Sequence, residues 1–290
     1  MLRPQMLEPH TMKDALKALA RPGAVSLAGA TDLIPAMRRG EAKPRLLVNL
    51  KRLPRLAEFR STRSDISIGA LASVAELLEN DLIARHLPLL AEVARDFGSP
   101  QIRSVATVGG NLCNAAPSAD LALPLLIFDA RARIQGLEGT RELDLCDSFR
   151  DVNKTALRRG EILTCILVPK PRARTGAVHV KLGVRRAMDL AVVAVAAAVR
   201  VRPDGRTCSR ARIALGAVAP IPMRARAAES ILEGKSLTPG VMREAAEAAA
   251  AEARPITDLR ASAEYRRRMT EALTRRALRE ALRRARHKER

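Results

Sequence analysis

The chain has 290 residues, 47% of them hydrophobic, and a formal net charge of +20. That apolar fraction supports a packed core and excludes wholesale disorder, while the length accommodates two domains of ordinary size. The charge alone would suit a nucleic-acid partner, but only 2% of the residues are aromatic and none is Trp; base-stacking platforms are nearly missing, so nucleic-acid binding is not expected.

In chain order, Thr11 to Ala20 is predicted as a helix, capped by Thr11 and with Asp14 in its first turn. Pro22-Gly23 breaks it, and Ala24 to Leu27 is predicted as a short strand. The segment Ala28-Gly29-Ala30-Thr31-Asp32-Leu33 reads as a loop, followed by a brief helix over Leu33 to Arg39. Further strands are expected at Leu46 to Leu50 and Asp65 to Gly69, and helices at Ser73 to Glu79 and Leu87 to Phe97. A second glycine loop runs from Thr107 to Asp120. Beyond it come a buried helix, Leu121 to Asp129, and strands at Arg131 to Gln135 and Ile162 to Val168.

The Pro- and Arg-rich stretch Pro169 to Gly176 then reads as a linker or hairpin loop. Strands are predicted at Val178 to Val184, Leu190 to Val201 and Ala211 to Ala217. Their connections are too short for helical crossovers, which favours an antiparallel meander. Helices follow at Arg224 to Glu233, Pro239 to Ala253 and Ser262 to about His287. Strands followed by helices give an α+β second half. In the last helix Tyr265, Met269, Leu273 and Ala277, continued by Leu278, Ala281 and Leu282, form the expected inward stripe, with the arginines on the solvated face.

The cysteines Cys113, Cys146, Cys165 and Cys208 form no CxxC pair, and the four histidines are not spaced for a metal-binding helix. No disulfide framework and no metal site are expected. The N-terminus, Met1 to Gln5, has no signal-like apolar segment, and the longest apolar run, Leu190 to Val199, is too short to span a bilayer. The expectation is a soluble, cytoplasmic protein without a transmembrane segment.

The two glycine segments carry the chemistry. Glycine removes the Cβ and lets backbone N–H groups approach an anion. Thr31 and Thr107 add hydroxyl donors, Asn111 and Asn114 add amide donors, and Asp32 and Asp120 offer acceptors suited to sugar hydroxyls. Neither segment is a Walker A loop or a GxGxxG fingerprint. Taken singly, each also serves as a plain tight turn; together they suggest a diphosphate held between two loops.

Ala28–Leu33 and Gln101–Asp120, with Glu161–Pro169, Lys181–Val199, Ala214–Glu229 and Arg254–Met269, resemble the FAD-binding medium subunit of the molybdenum hydroxylases. That is the carbon monoxide dehydrogenase and xanthine dehydrogenase family, and the likeness covers nearly the whole chain in order. It implies an α+β protein with an FAD-binding domain of the vanillyl-alcohol-oxidase-like (PCMH) type over residues 1–174 and a C-terminal α+β domain over 175–290. Carried over by position, it implies that Leu27, Ala28, Gly29, Ala30, Thr31 and Asp32 line FAD from one side. Thr107, Gly109, Gly110, Asn111, Cys113, Asn114 and Asp120 would line it from the other. Leu163 and Lys181 match positions that approach the cofactor, and Asp189-Leu190 match the pair near the isoalloxazine ring. On the residues alone, Lys181 and Asp189 read equally as strand-edge charges.

The same likeness implies an electron-transfer subunit with no catalytic side chain of its own. Its partners would be a large molybdopterin-binding subunit and a small [2Fe-2S] subunit, in a dimer of heterotrimers, with the substrate chosen on the large subunit. Ala30 stands where many members have a second glycine, and Leu190 where some have an aromatic residue. No cysteine-bearing insertion lies between Cys113 and Asp120, unlike the benzoyl-CoA-reducing branch with its extra iron–sulfur cluster. The alternative reading is a basic scaffold or binding subunit without flavin.

Overall fold

The computed structural model describes residues 4–185 and 188–287. Met1 to Arg3 of the N-terminal reading, and Arg186 and Ala187 within the Lys181–Val199 segment, lie outside the described residues.

The chain opens with β1 (Gln5–Leu7), α1 (Met12–Leu19), β2 (Ala24–Leu27), α2 (Leu33–Arg38) and β3 (Leu46–Asn49). Thr11 caps α1 by accepting from Asp14 N at 3.2 Å. Parallel strands require crossovers, and these helices supply them: the three strands form a parallel sheet in the order β1-β3-β2. A small core of Ala15, Leu16, Leu19, Leu46 and Val48 holds helix to sheet.

Next come β4 (Phe59–Ser61), β5 (Asp65–Gly69), α3 (Val74–Glu79), α4 (Asp81–His86), α5 (Pro88–Arg95), α6 (Pro100–Val105), α7 (Val108–Cys113) and α8 (Ala122–Ile127). They are followed by β6 (Arg131–Gly136), β7 (Gly139–Asp144), β8 (Phe149–Asp151), β9 (Lys154–Thr155) and β10 (Ile162–Pro169). A five-stranded antiparallel sheet, β4-β5-β10-β6-β7, backs the helices, and β8 and β9 pair as a hairpin. Ser73 and Glu76 form a capping box at α3. All six residues of α8 are buried.

The last third comprises β11 (Thr175–Leu182), β12 (Val193–Val201), β13 (Cys208–Gly216), β14 (Met223–Arg224), α9 (Arg226–Leu232), α10 (Pro239–Glu252) and α11 (Ala263–His287). The strands form the expected antiparallel meander, β11-β12-β13-β14. Strand alternation gives its two faces different tasks. Val193, Val195, Val199 and Ile213 pack under α10 and α11. Ala194, Ala196, Ala198 and Ala214 face the first half of the chain and belong to the core that contains α8. Small side chains there allow close approach; a Cβ on Gly216 would lie 2.9 Å from Leu123 Cδ1.

Several expectations are corrected. The Thr107–Asp120 segment is not all loop, because Val108–Cys113 closes a helical turn capped by Thr107. The strand expected from Leu190 begins at Val193, and Leu190 lies before it, exposed. In α11 the expected inward stripe departs only at its first member. Met269 and Leu273 are half-buried against the C-terminal core and Ala277, Leu278, Ala281 and Leu282 are buried, whereas Tyr265 is exposed and Arg266, Thr270 and Thr274 are buried beside the stripe. The cause is Arg266, whose guanidinium donates to Val192 O at 2.6 Å, Ala217 O at 3.0 Å and Asp258 Oδ1 at 2.7 Å. A buried charge with three acceptors can take the inward place beside Tyr265.

Candidate functional site

The loop after β2 and the turn of α7 form opposite walls of one cleft. Its cavity, about 480 Å³, is lined by Ala28 to Leu33 on one side and by Thr107, Gly110, Asn111, Cys113 and Asn114 on the other. Phe97, Glu41 and Asn153 complete it. The two glycine segments, far apart in sequence, therefore meet as expected. Leu27 ends β2 beside Asn49 and leads into the cleft.

Close packing explains the glycines. A Cβ on Gly29 would stand 2.1 Å from Val105 O, so only glycine lets the first loop lie against the end of α6. A Cβ on Gly109 would lie 2.7 Å from both the Cβ and the O of Ala70, which makes Gly109 a buried packing position beneath the cleft.

The walls differ in their donors. In α7, Val108 N donates to Ala72 O, Gly109 N to Ala70 O, Gly110 N to Thr107 Oγ1 and Asn111 N to Thr107 O. Those four amides are consumed by the protein, so the second segment is not the row of open N–H groups its glycines suggest. Its free donors are side chains. Thr107 Oγ1 accepts from Gly110 and keeps its own proton to give. Asn111 Oδ1 accepts from Leu121 N at 3.3 Å, which leaves its amide N–H₂ uncommitted.

In the first loop the situation is reversed. Among the described residues, none accepts from the N–H groups of Ala30, Thr31 or Asp32. Ala30 adopts φ 61°, the left-handed region that turns successive amides toward one side. Asp32 precedes α2 without a side-chain cap bond. Among the described residues, no lysine or arginine lines the cleft. An anion there would be met by backbone dipoles and hydroxyl or amide donors.

Asp120 and Lys181 join the C-terminal sheet to this region. Lys181 Nζ lies 2.8 Å from Asp120 Oδ1 and 3.1 Å from Oδ2, and only the longer contact has hydrogen-bond geometry. Asp120 Oδ1 is buried without a hydrogen-bond partner. Burial pushes the Asp120 carboxyl above its ordinary range, with Lys181 pulling the other way. A hydroxyl donor would complete this acceptor. The unbonded amides of the first loop fit a diphosphate, and Asp120 Oδ1, ion-paired with Lys181 but without a hydrogen-bond donor, fits a sugar hydroxyl of a dinucleotide cofactor.

Other expected residues fall elsewhere. The Cys113 thiol, pushed up to about 12 by burial, is a neutral wall rather than a nucleophile. Leu163 is buried on β10 and lines a separate small apolar cavity that Cys113 also borders. Asp189 closes its own loop, accepting from Val184 N and Arg185 N, and these bonds hold its carboxyl below the ordinary range. Leu190 lies beside Pro117 and Ser118 in a neighbouring cavity of about 300 Å³ that Arg266 also lines. Sequence reasoning missed Phe97 and Asn153 in the lining of the cleft. The His179 ring is pushed down to about 4 by burial and by Lys181; it stands two residues before Lys181 on β11, and no motif marked it.

Two family models divide the chain between them. One, the FAD binding domain in molybdopterin dehydrogenase, matches residues 2–171, and the other, the CO dehydrogenase flavoprotein C-terminal domain, matches residues 179–281. The xanthine dehydrogenase FAD-binding subunit of Escherichia coli O157:H7 is 33% identical over 275 residues, covering 94% of each chain. The carbon monoxide dehydrogenase medium chain of Afipia carboxidovorans is 34% identical over 281 residues, covering 96% of each. Among solved structures, a carbon monoxide dehydrogenase from Hydrogenophaga pseudoflava lacking the Mo-pyranopterin moiety superposes with a TM-score of 0.94 at 33% identity, covering 98% of both chains.

Proposed function

The chain belongs to the family of FAD-binding medium subunits of the molybdopterin dehydrogenases, and from that premise we propose that its cleft holds FAD and serves electron transfer within a molybdenum hydroxylase complex. The observation that carries this reading is the pairing of unbonded amides at Ala30 to Asp32 with the side-chain donors of Thr107 and Asn111 across one cleft. When bound, FAD supplies the capacity to accept electrons and pass them on, and the protein contributes position and electrostatics.

In this reading Gly29 and Gly109 set the backbone spacing, and Ala28 to Asp32 hold the diphosphate through N–H groups. Thr107 and Asn111 donate from the facing wall, with Gly110, Cys113 and Asn114 shaping it. Asp120 Oδ1 accepts from a sugar hydroxyl while Lys181 keeps its carboxylate in place. Leu163 approaches the cofactor from behind the Cys113 wall, and Leu190 provides aliphatic surface toward the ring. Asp189 acts one step removed, by fixing the loop that presents Leu190. Residues 1–174 form the PCMH-type domain and 175–290 the C-terminal domain. The partners are a large molybdopterin-binding subunit and a small [2Fe-2S] subunit, arranged as a dimer of heterotrimers. Among the described residues no helix is long and apolar enough to cross a membrane, and we place the complex in the cytoplasm.

Asn111→Asp tests the assignment cleanly. The carboxylate keeps the acceptor for Leu121 N but replaces an amide donor with a negative charge facing the diphosphate. Flavin retained per folded chain is expected to fall at least about tenfold. Unchanged flavin content would count against the assignment.

A further inference from the structure

A second concave site lies where the connector between β10 and β11 meets β12 and β13, and it shares no lining residue with the cleft. Its cavity, about 220 Å³, is lined by Lys170 and Arg172 of the connector, Arg200 of β12, and Arg210 and Arg212 of β13. Among the described residues, the single carboxylate in the lining is Asp129.

Five cations against one anion is an unfavourable arrangement. Arg200 and Arg210 are direct cross-strand partners, a like-charge pairing that destabilises a sheet. Arg200 Nε donates to the neutral Ser209 Oγ at 2.9 Å, and Lys170 Nζ to the Thr62 carbonyl at 2.6 Å. Neither contact cancels charge. Asp129 is divided among Arg210 at 2.8 Å, Arg212 at 2.9 Å and Arg224 at 2.9 Å. Arg212 finds partial relief in Glu233 at 3.0 Å, whereas among the described residues Arg172 and Arg200 meet no carboxylate.

The geometry points to a binding site for a multivalent phosphate-class anion. Charge density decides the class. A phosphate or diphosphate brings several charges into one compact group, whereas an acidic peptide brings one charge per carboxylate, each on its own stem. The backbones that carry Arg200, Arg210 and Arg212 are about 4.8 Å apart across the sheet and about 6.8 Å along it, so their guanidinium groups offer forks to tetrahedral oxygens from neighbouring strands. Bound there, the anion ties the connector to β12 and β13 and stiffens the joint between the two halves of the chain.

The test is a calorimetric titration of inorganic pyrophosphate into the FAD-saturated full chain, so that the cleft's own diphosphate position is filled. Wild type is compared with Arg200→Gln/Arg210→Gln, whose cooperative thermal unfolding and unchanged far-UV circular dichroism verify folding. Saturable binding is expected in wild type and at least about tenfold weaker binding in the double variant, with equal flavin content in both. Tighter binding of ADP than of pyrophosphate identifies a nucleotide as the source, and equal binding identifies diphosphate itself; either upholds the site. No saturable heat, equal affinity in both proteins, or stronger competition by polyglutamate than by pyrophosphate would overturn it. Should the chain fail to retain FAD, the same comparison on the unloaded chain still decides, because only binding lost in the double variant belongs to this site.

Discussion

Ala30 shows how a single side chain can strain a ligand loop without closing it. At φ 61° an alanine costs roughly 1–2 kcal/mol more than in its preferred regions, while glycine would lose about 0.5–1 kcal/mol more entropy on folding. Ala30→Gly is therefore expected to raise stability by about 0.5–1 kcal/mol, read from denaturant midpoints; a lower midpoint contradicts the strain. Lys181 matters through Asp120. Burial raises the folded Asp120 pKa above its ordinary 3.8. A raised carboxyl contributes stability that is full below the unfolded value and is lost as pH rises through the folded one. Removing Lys181 raises that value further. Lys181→Met should therefore cost about 2 kcal/mol at neutral pH and progressively less in acid. Melts across pH check this, and a cost that grows on acidification would contradict it. The ion pair itself was not legible in the sequence, since 61 residues separate its members.

Among the elements, strongly periodic segments were readable and others were not. Strands such as Asp65–Gly69 alternate, and α1 announces its cap, so both appear where expected. The turn of α7 was hidden because two adjacent glycines oppose helix formation locally, and only the Thr107 cap and contacts to Ala70 and Ala72 offset them. The edge strand Gly139–Asp144 carries no fully buried residue and hence no apolar alternation to read. In α11 only the start of the stripe differs, with Tyr265 exposed and Arg266 buried, since no apolar pattern foretells a buried arginine. The same helix yields a sharp test at Gly176, where an added Cβ would lie 2.0 Å from Ala281 O and 2.4 Å from Ala285 N. Helix backbone rests directly on β11 there. Gly176→Ala should cost about 3 kcal/mol by lifting α11, and a thermal midpoint equal to wild type would refute that seating.

For the whole molecule, the join between the two halves is partly apolar, through the alanine face of β12 and β13, and partly ionic, through Asp129. Burial pushes the Asp129 carboxyl up, but Arg212, Arg224 and Arg210 together outweigh it and hold it below 3.8. A depressed carboxyl contributes stability above the unfolded value and loses it as pH falls through the folded one. Asp129→Ala should cost about 1–2 kcal/mol at neutral pH, after allowing for screening of a carboxylate about one-third exposed, and the cost should fade in strong acid; a pH-independent cost would contradict the ionic account. The +20 charge does not locate a ligand site, and only the three-dimensional meeting of residues 28–33 with Thr107, Gly110, Asn111, Cys113 and Asn114 singles out a cleft. The most direct measurement is the flavin-to-protein ratio of the chain purified in complex with its large and small partners. The account predicts one FAD per copy, and an intact, folded complex that carries no flavin would contradict it.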